Sequence, residues 1–292
     1  MTHDLTAAVK KRSRLAAVAL RFRKNRMAMF GLVVLVILLA VAASADLFLD
    51  YARDAVAQNM AERLQGPGPG HWFGTDQYGR DIFARIVYGA RISLSMSLLV
   101  ISVSTVLGAV IGGAAAFYGG RLDNLLMRVI DIFYAVPFNL LAICNVASLG
   151  SGLVNLAIAC IVGVVPGFAR IFRASIMPVK EQEFIEAARA CGTKNRRIFL
   201  RHVLPNAMGP IIVQATLHLA QTILAISGLS YIGLGIESPM PEWGAMLSEG
   251  KNFFRDFPHL VLIPGVAIIS AAMSLNLIGD GLRDALDPKL KN

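Results

Sequence analysis

The sequence predicts an all-α membrane protein with six transmembrane helices, and three observations carry that expectation. Hydrophobic residues fill 55% of the 292 positions, mean hydropathy is +0.60 and only 16% of residues are charged; a soluble domain carries roughly 25%. Six apolar stretches approach the roughly 20 residues that cross a bilayer core. The Lys and Arg residues, which leave a formal charge of +9, flank those stretches as the positive-inside rule requires. They form no basic patch interleaved with aromatics, which argues against nucleic acid as a partner.

Residues 1–26 make an N-terminal arm with eight basic residues: Lys10, Lys11, Arg12, Arg14, Arg21, Arg23, Lys24 and Arg26. Leu15, Val18 and Phe22 give the arm a face to lie on lipid while its arginines reach phosphates. The first span is expected at 27–47 and, with the loop after it, makes up a unit of residues 27–91. Ala43-Ser44-Ala45 mimics a signal-peptidase site, but the preceding arm is long for a signal peptide and an uncleaved span is expected. Gly66-Pro67-Gly68-Pro69-Gly70 is a turn-rich breaker. In the stretch from Thr75 to Gly79, Asp76 can bond its own backbone and Gly79 can take positive φ. Arg80 and Asp81 read as structural ion-pair residues. Ile82, Phe83, Ile86 and Val87 then form a helical apolar face leading into the second span.

Residues 92–282 hold the other five spans. In the second, 92–118, Gly108, Gly112, Gly113 and Ala114 to Ala116 form a small-residue strip suited to close helix packing. A turn at 119–124 carries Arg121. The third span, 125–146, places Arg128 and Asp131 at i, i+3, where they can pair; Pro137 breaks it midway, just before Asn139. Gly150-Ser151-Gly152 is a turn, and the fourth span, 153–172, is interrupted at Pro166-Gly167 and ends near Arg170 and Arg173. The fifth, 207–232, carries Gln214, His218 and Gln221 at i, i+4 and i+7, a polar stripe that lipid would penalise. Such a stripe serves either helix-to-helix hydrogen bonding or pore lining. In the 233–259 loop, Trp243 and Phe253-Phe254 fit an interfacial aromatic belt. A sixth span, 260–278, leads to a tail at 283–292 whose helix Pro288 ends.

The polar stretch 181–206 is the one the rest is arranged around. Residues 181–191 read as a short helix with Glu181, Glu183 and Glu186 early, where the helix dipole favours acids, and Arg189 late. Gly192 falls where a left-handed cap would close it, and Thr193 can cap a second helix that Pro205 ends or kinks. Phe184, Ala187, Ala188 and Cys191 recur at helical spacing on one narrow apolar face. Periodicity alone also describes an amphipathic elbow on the membrane surface. On this topology nineteen of the 28 Lys and Arg residues lie on the side of this loop and seven on the other, so the loop and both termini face the cytoplasm.

The order Glu186-Ala187-Ala188, Gly192, Leu204-Pro205 resembles the EAA loop of ABC importer permeases. His202 stands where the general pattern has an aliphatic residue, and His-x-Leu-Pro-Asn is the form of the peptide-importer branch. Three more blocks resemble that branch: Gly74-Thr75-Asp76 with Gly79-Arg80-Asp81, the loop Gly233-Leu234-Gly235 through Pro239, Pro241 and Trp243-Gly244, and the tail Asn276-Leu277, Gly279-Asp280, Leu282-Arg283-Asp284, Leu286-Asp287-Pro288. The chain is therefore identified as a C-type permease of a bacterial dipeptide, oligopeptide or nickel importer, with the type I ABC importer permease fold.

That resemblance implies a coupling helix, with Glu183, Phe184, Glu186, Ala187, Ala188, Arg189 and Gly192 engaging an ATPase. It implies a homologous B-type permease, two cytoplasmic ATPase subunits holding ATP and Mg, and an exterior solute-binding protein, all at the bacterial inner membrane. Asn139, Gln214, His218 and Gln221 are the candidate pathway residues. Peptides, nickel complexes, glutathione and other small solutes all fit the family. No phosphate-binding loop is present in the sequence, so energy must come from another subunit. Cys144, Cys160 and Cys191 follow no metal-ligand spacing and read as packing residues without a disulfide. His218 has no second ligand at metal spacing. An intramembrane protease built on Ser151 and His218 lacks a third orienting group, and a stand-alone secondary transporter lacks an evident inverted repeat.

Overall fold

A computed structural model describes residues 14–286, and every regular element among them is a helix. Helix α1 (Arg14–Lys24) turns at Asn25, whose side-chain oxygen accepts from the Met27 and Ala28 amides at 3.1 Å each. That cap starts α2 (Arg26–Phe48), the expected first span. Asp81 caps α3 (Ile82–Tyr118) by accepting from the Ala84 amide at 2.8 Å. The apolar face at Ile82 and Phe83 is thus continuous with the second span, giving 37 residues, roughly 55 Å of helix at 1.5 Å per residue.

Gly119 and Gly120, at φ +68° and +59°, reverse the chain by themselves, so the expected turn at 119–124 is mostly helix. The third span is two helices, α4 (Gly120–Tyr134) and α5 (Phe138–Leu149), meeting at 83° across Pro137. Helix α6 (Leu153–Lys180) continues unbroken past Pro166 and Pro178, well beyond the expected end at 172. Short helices α7 (Glu183–Ala190) and α8 (Asn195–Ile198) follow. A π-turn over Phe199–Val203 then joins α9 (Leu204–Tyr231). That wide turn is why Pro205 does not end the helix, which continues as one stretch over Asn195–Tyr231. Proline has no N–H to offer and its ring crowds the carbonyl four residues back, and the i→i+5 geometry removes the need for that bond. Helices α10 (Trp243–Gly250) and α11 (His259–Leu286) are the last two among the described residues.

Five helical stretches among the described residues are long and apolar enough to cross a membrane, and the bent α4–α5 pair makes a sixth. The α3–α6 contact is built on the small-residue strip: a side chain at Gly108 or Gly112 would collide with Phe168 or with the Ala169 backbone of α6. Phe22 of α1 lies against Gly281 of α11, so that residue of the arm's apolar face meets protein where lipid was expected. Lys10, Lys11, Arg12 and Pro288 lie outside the described residues.

Arg128 does not pair with Asp131. Asp131 accepts from Arg170 Nη2 of α6 at 2.5 Å, and Asp123 receives Nε and Nη2 of Arg173 at 2.7 Å each. A base preceding an acid along a helix is the weaker order, and α6 brings guanidinium forks alongside α4. Cys160 is buried, as a packing residue should be, whereas Cys144 and Cys191 are exposed.

The loops after α2 and after α9 close over the same end of the bundle. Asp76 Oδ1 accepts from the Tyr78 and Arg80 amides at 2.8 and 3.0 Å, and Gly79 has φ +74°. Arg80 pairs with Asp76 and with Glu249 of α10 at 2.6 Å each, and Arg85 joins Asp76 at 2.6 Å. Both guanidiniums are buried. Asp81 binds His71 Nδ1 at 2.7 Å, which together with Glu62 raises the His71 pKa. Trp243 is fully buried, its Nε1 donating to the Ile86 carbonyl at 3.0 Å beside Gly89. It belongs to the core and not to an interfacial belt; only Phe254 is exposed as that expectation required. Glu242 accepts from the Gly244 and Ala245 amides at 2.9 and 2.8 Å. Burial pushes its carboxyl pKa up against those bonds.

Candidate coupling loop and central cavity

Lys180, at the end of α6, donates Nζ to the Ala116 carbonyl of α3 at 2.6 Å. This places the candidate coupling loop at the opposite end of α3 from the Arg80 cluster. Three residues later α7 begins, with Glu183 and Glu186 in its first turn and Arg189 in its last, the arrangement that complements a helix dipole. Its end is a full Schellman closure: the Gly192 amide donates to Arg189 O at 2.9 Å and the Thr193 amide to Ala188 O at 3.1 Å. Gly192 sits at φ +73° with open space around it, so glycine is required by the backbone and not by crowding. Thr193 spends its amide on α7 and caps nothing; Lys194 stands at the start of α8 without a side-chain cap.

The apolar face named from spacing is mostly uncovered. Phe184 is 40% exposed, Glu183, Glu186, Ala187, Arg189 and Cys191 are exposed, and Ala188 is half-buried. What holds α7 to the bundle is Ile185, 0% exposed, in a cluster with Phe117, Phe172, Ile176, Ile198 and Val203. The sequence reading passed over Ile185 because it lies off the Phe184–Ala188 stripe. An isolated bulky aliphatic among exposed neighbours was the available signal.

The α4–α5 break opens a cavity of about 500 Å³ between that break, α6 and α9. His218 and Gln221 line it, with Tyr134, Phe138, Arg170 and Thr222. The His218 ring lies 5.2 Å from that of Phe168. Gln214 and Asn139 are exposed but outside the lining, so the structure gathers two of the four candidate pathway residues. Arg170, expected only to mark a span end, is the residue that sequence reasoning missed here. Its Nη2 bond to Asp131 and a guanidinium 3.9 Å from the Tyr134 ring centroid fix it at the wall. Ser151 donates to Glu237 across the loops.

Known proteins resemble this architecture closely. The family described as "Binding-protein-dependent transport system inner membrane component" matches residues 104–292, and "N-terminal TM domain of oligopeptide transport permease C" matches residues 13–67. The Dipeptide transport system permease protein DppC of Alkalihalophilus pseudofirmus is 45% identical over 272 residues, covering 93% of this chain and 89% of the relative. The Glutathione transport system permease protein GsiD of Escherichia coli O157:H7 is 42% identical with the same coverage. Among solved structures, an inward-facing MetNI methionine ABC transporter chain aligns with TM-score 0.58 and 18% identity, over 70% of this chain and 96% of that one. That last similarity speaks to the fold alone.

Proposed function

Because this chain belongs to the family of inner-membrane components of binding-protein-dependent transport systems, we propose that it forms, with a homologous permease, the pathway for di- or oligopeptides. The chain is a permease subunit of an ABC importer and not an enzyme. Two cytoplasmic ATPase subunits, holding ATP and Mg, power the cycle, and an exterior binding protein delivers the solute. Residues 181–206 and both termini face the cytoplasm.

One observation carries the coupling role. Helix α7 hangs between α6 and α9, and those two helices supply Arg170, His218, Gln221 and Thr222 to the cavity. A push on α7 therefore reaches both cavity walls through short connections. The exposed Phe184 and Ala187, flanked by Glu183, Glu186 and Arg189, supply a knob for an ATPase cleft. His218 and Gln221 meet the solute in this cavity; Gln214 and Asn139 take part only where the pathway extends beyond it. The peptide reading rests on the dipeptide relative. Glutathione, for which other relatives are named, shares peptide amides and free carboxylates with dipeptides.

The test is Gly192→Val. A β-branched residue at φ +73° is strained, while the open surroundings exclude a clash. Uptake driven by ATP is expected to fall at least about tenfold with membrane insertion unchanged, because a misplacement of about 1 Å at a working site costs roughly that or more. Undiminished uptake would remove the coupling assignment.

A further inference from the structure

Among the described residues, Arg170 is the only Lys, Arg, Asp or Glu lining the 500 Å³ cavity. A cavity of this size suits a small ligand such as a dipeptide. Its other polar groups are the imidazole of His218, the amide of Gln221 and the hydroxyls of Tyr134 and Thr222, which can meet peptide amides. On the far side of Arg170 lies a second pocket of about 390 Å³, lined by Asp123, Asp131, Arg170 and Arg173. Arg170 thus lines both pockets, with its counter-ion Asp131 on the side of the second and no carboxylate among the residues lining the first.

We propose that Arg170 receives the free carboxylate of the solute inside the cavity, exchanging Asp131 for it, so that this chain itself selects for a carboxylate-bearing substrate. This rests on the peptide reading and assigns the specificity of that same cavity. Of the five N–H donors on a guanidinium, the Asp131 contact engages Nη2, and a planar fork matches a second carboxylate. The Arg170 and Asp131 side chains are 43% and 49% exposed. That uncovered surface gives an incoming carboxylate room to reach the guanidinium beside Asp131 and replace it. The Tyr134 ring keeps the guanidinium in place while its counter-ion changes. The same residue then faces the second pocket, where Asp131 can take it back as the solute leaves.

The experiment uses the complete transporter in proteoliposomes with its binding protein and ATPases. Alanyl-alanine and its C-terminal amide are supplied at concentrations shown by titration to saturate the binding protein. Wild type is expected to move the acid about tenfold faster than the amide, the scale of one charge-assisted hydrogen bond. Arg170→Gln should lower acid transport about tenfold and leave amide transport within about twofold, while Arg170→Lys, lacking the planar fork, should fall between. Equal loss of both solutes in Arg170→Gln, as a merely structural tie to Asp131 would give, overturns the proposal. So does undiminished acid transport in that variant, or equal transport of the two forms by wild type. A wild-type transporter that moves neither form overturns the peptide reading itself, and this proposal with it.

Discussion

At one end of the bundle Arg80, Arg85, Asp76 and Glu249 bind one another beneath protein and Trp243 is fully enclosed. At the other end α7 leaves Phe184 and Ala187 uncovered and reaches the core through Ile185. The first end ties two loops far apart in sequence, 75–81 and 238–249, into one rigid piece. The second is a single short helix between two short connections, closed at Gly192. Charge buried with its partners suits a platform that must keep its shape, since removing either partner leaves a costly orphan. Small exposed residues above one buried anchor suit a part that a neighbour must grip and move.

Breaking the rigid end should have the largest effect. Arg80→Ala leaves the Asp76 and Glu249 carboxylates of this buried site to share the single Arg85 guanidinium and is expected to cost about 3–5 kcal/mol, read as a lowered thermal midpoint of the purified chain and reduced yield in membranes. A midpoint unchanged from wild type would mean the cluster is not holding the loops. At the other end Ile185→Ala removes the anchor, at a local cost of about 2–5 kcal/mol. Because α7 docks on the bundle by that residue, the loss is expected in uptake and in protease protection of residues 181–206, with the global midpoint little changed. A global midpoint falling as far as for Arg80→Ala would erase the contrast between the two ends.

The smallest effect is a pH dependence at the rigid end. Asp81 and Glu62 raise the His71 pKa above its ordinary 6.5, so the protonated ring is favoured in the folded chain. Its contribution is fully present below about 6.5 and is lost as pH rises through the elevated folded value. Wild type should therefore lose stability relative to His71→Gln between pH 6 and pH 8.5, read from paired melting curves. Parallel curves would show that the ring stays neutral.

Much of this was legible in the sequence because the signals are local. Apolar runs gave the spans, Gly192 announced its cap, Pro137 its break, and Gly108 and Gly112 the α3–α6 crossing. The misreadings came from partners distant in sequence. Arg128 and Asp131 satisfy a local rule, yet α6 offers better-placed forks in Arg170 and Arg173. Trp243 looks interfacial by residue type until Gly89 of α3 opens a slot for it. Pro166 and Pro205 read as breaks because their cost is local, whereas packing and a π-turn absorb it. At the candidate site the exposed knob was readable from spacing, but the cavity was not. Its lining comes from residues on α4, α5, α6 and α9 that share no sequence pattern.

The claim on which the account turns is that α7 is a cytoplasmic lever gripped by an ATPase subunit. A photo-crosslinking amino acid placed at Ala187, in membrane vesicles containing the whole transporter, tests it directly. The expected product on irradiation is a covalent adduct with an ATPase subunit, formed from the cytoplasmic side. Adducts with lipid alone, or with the exterior binding protein, would contradict it.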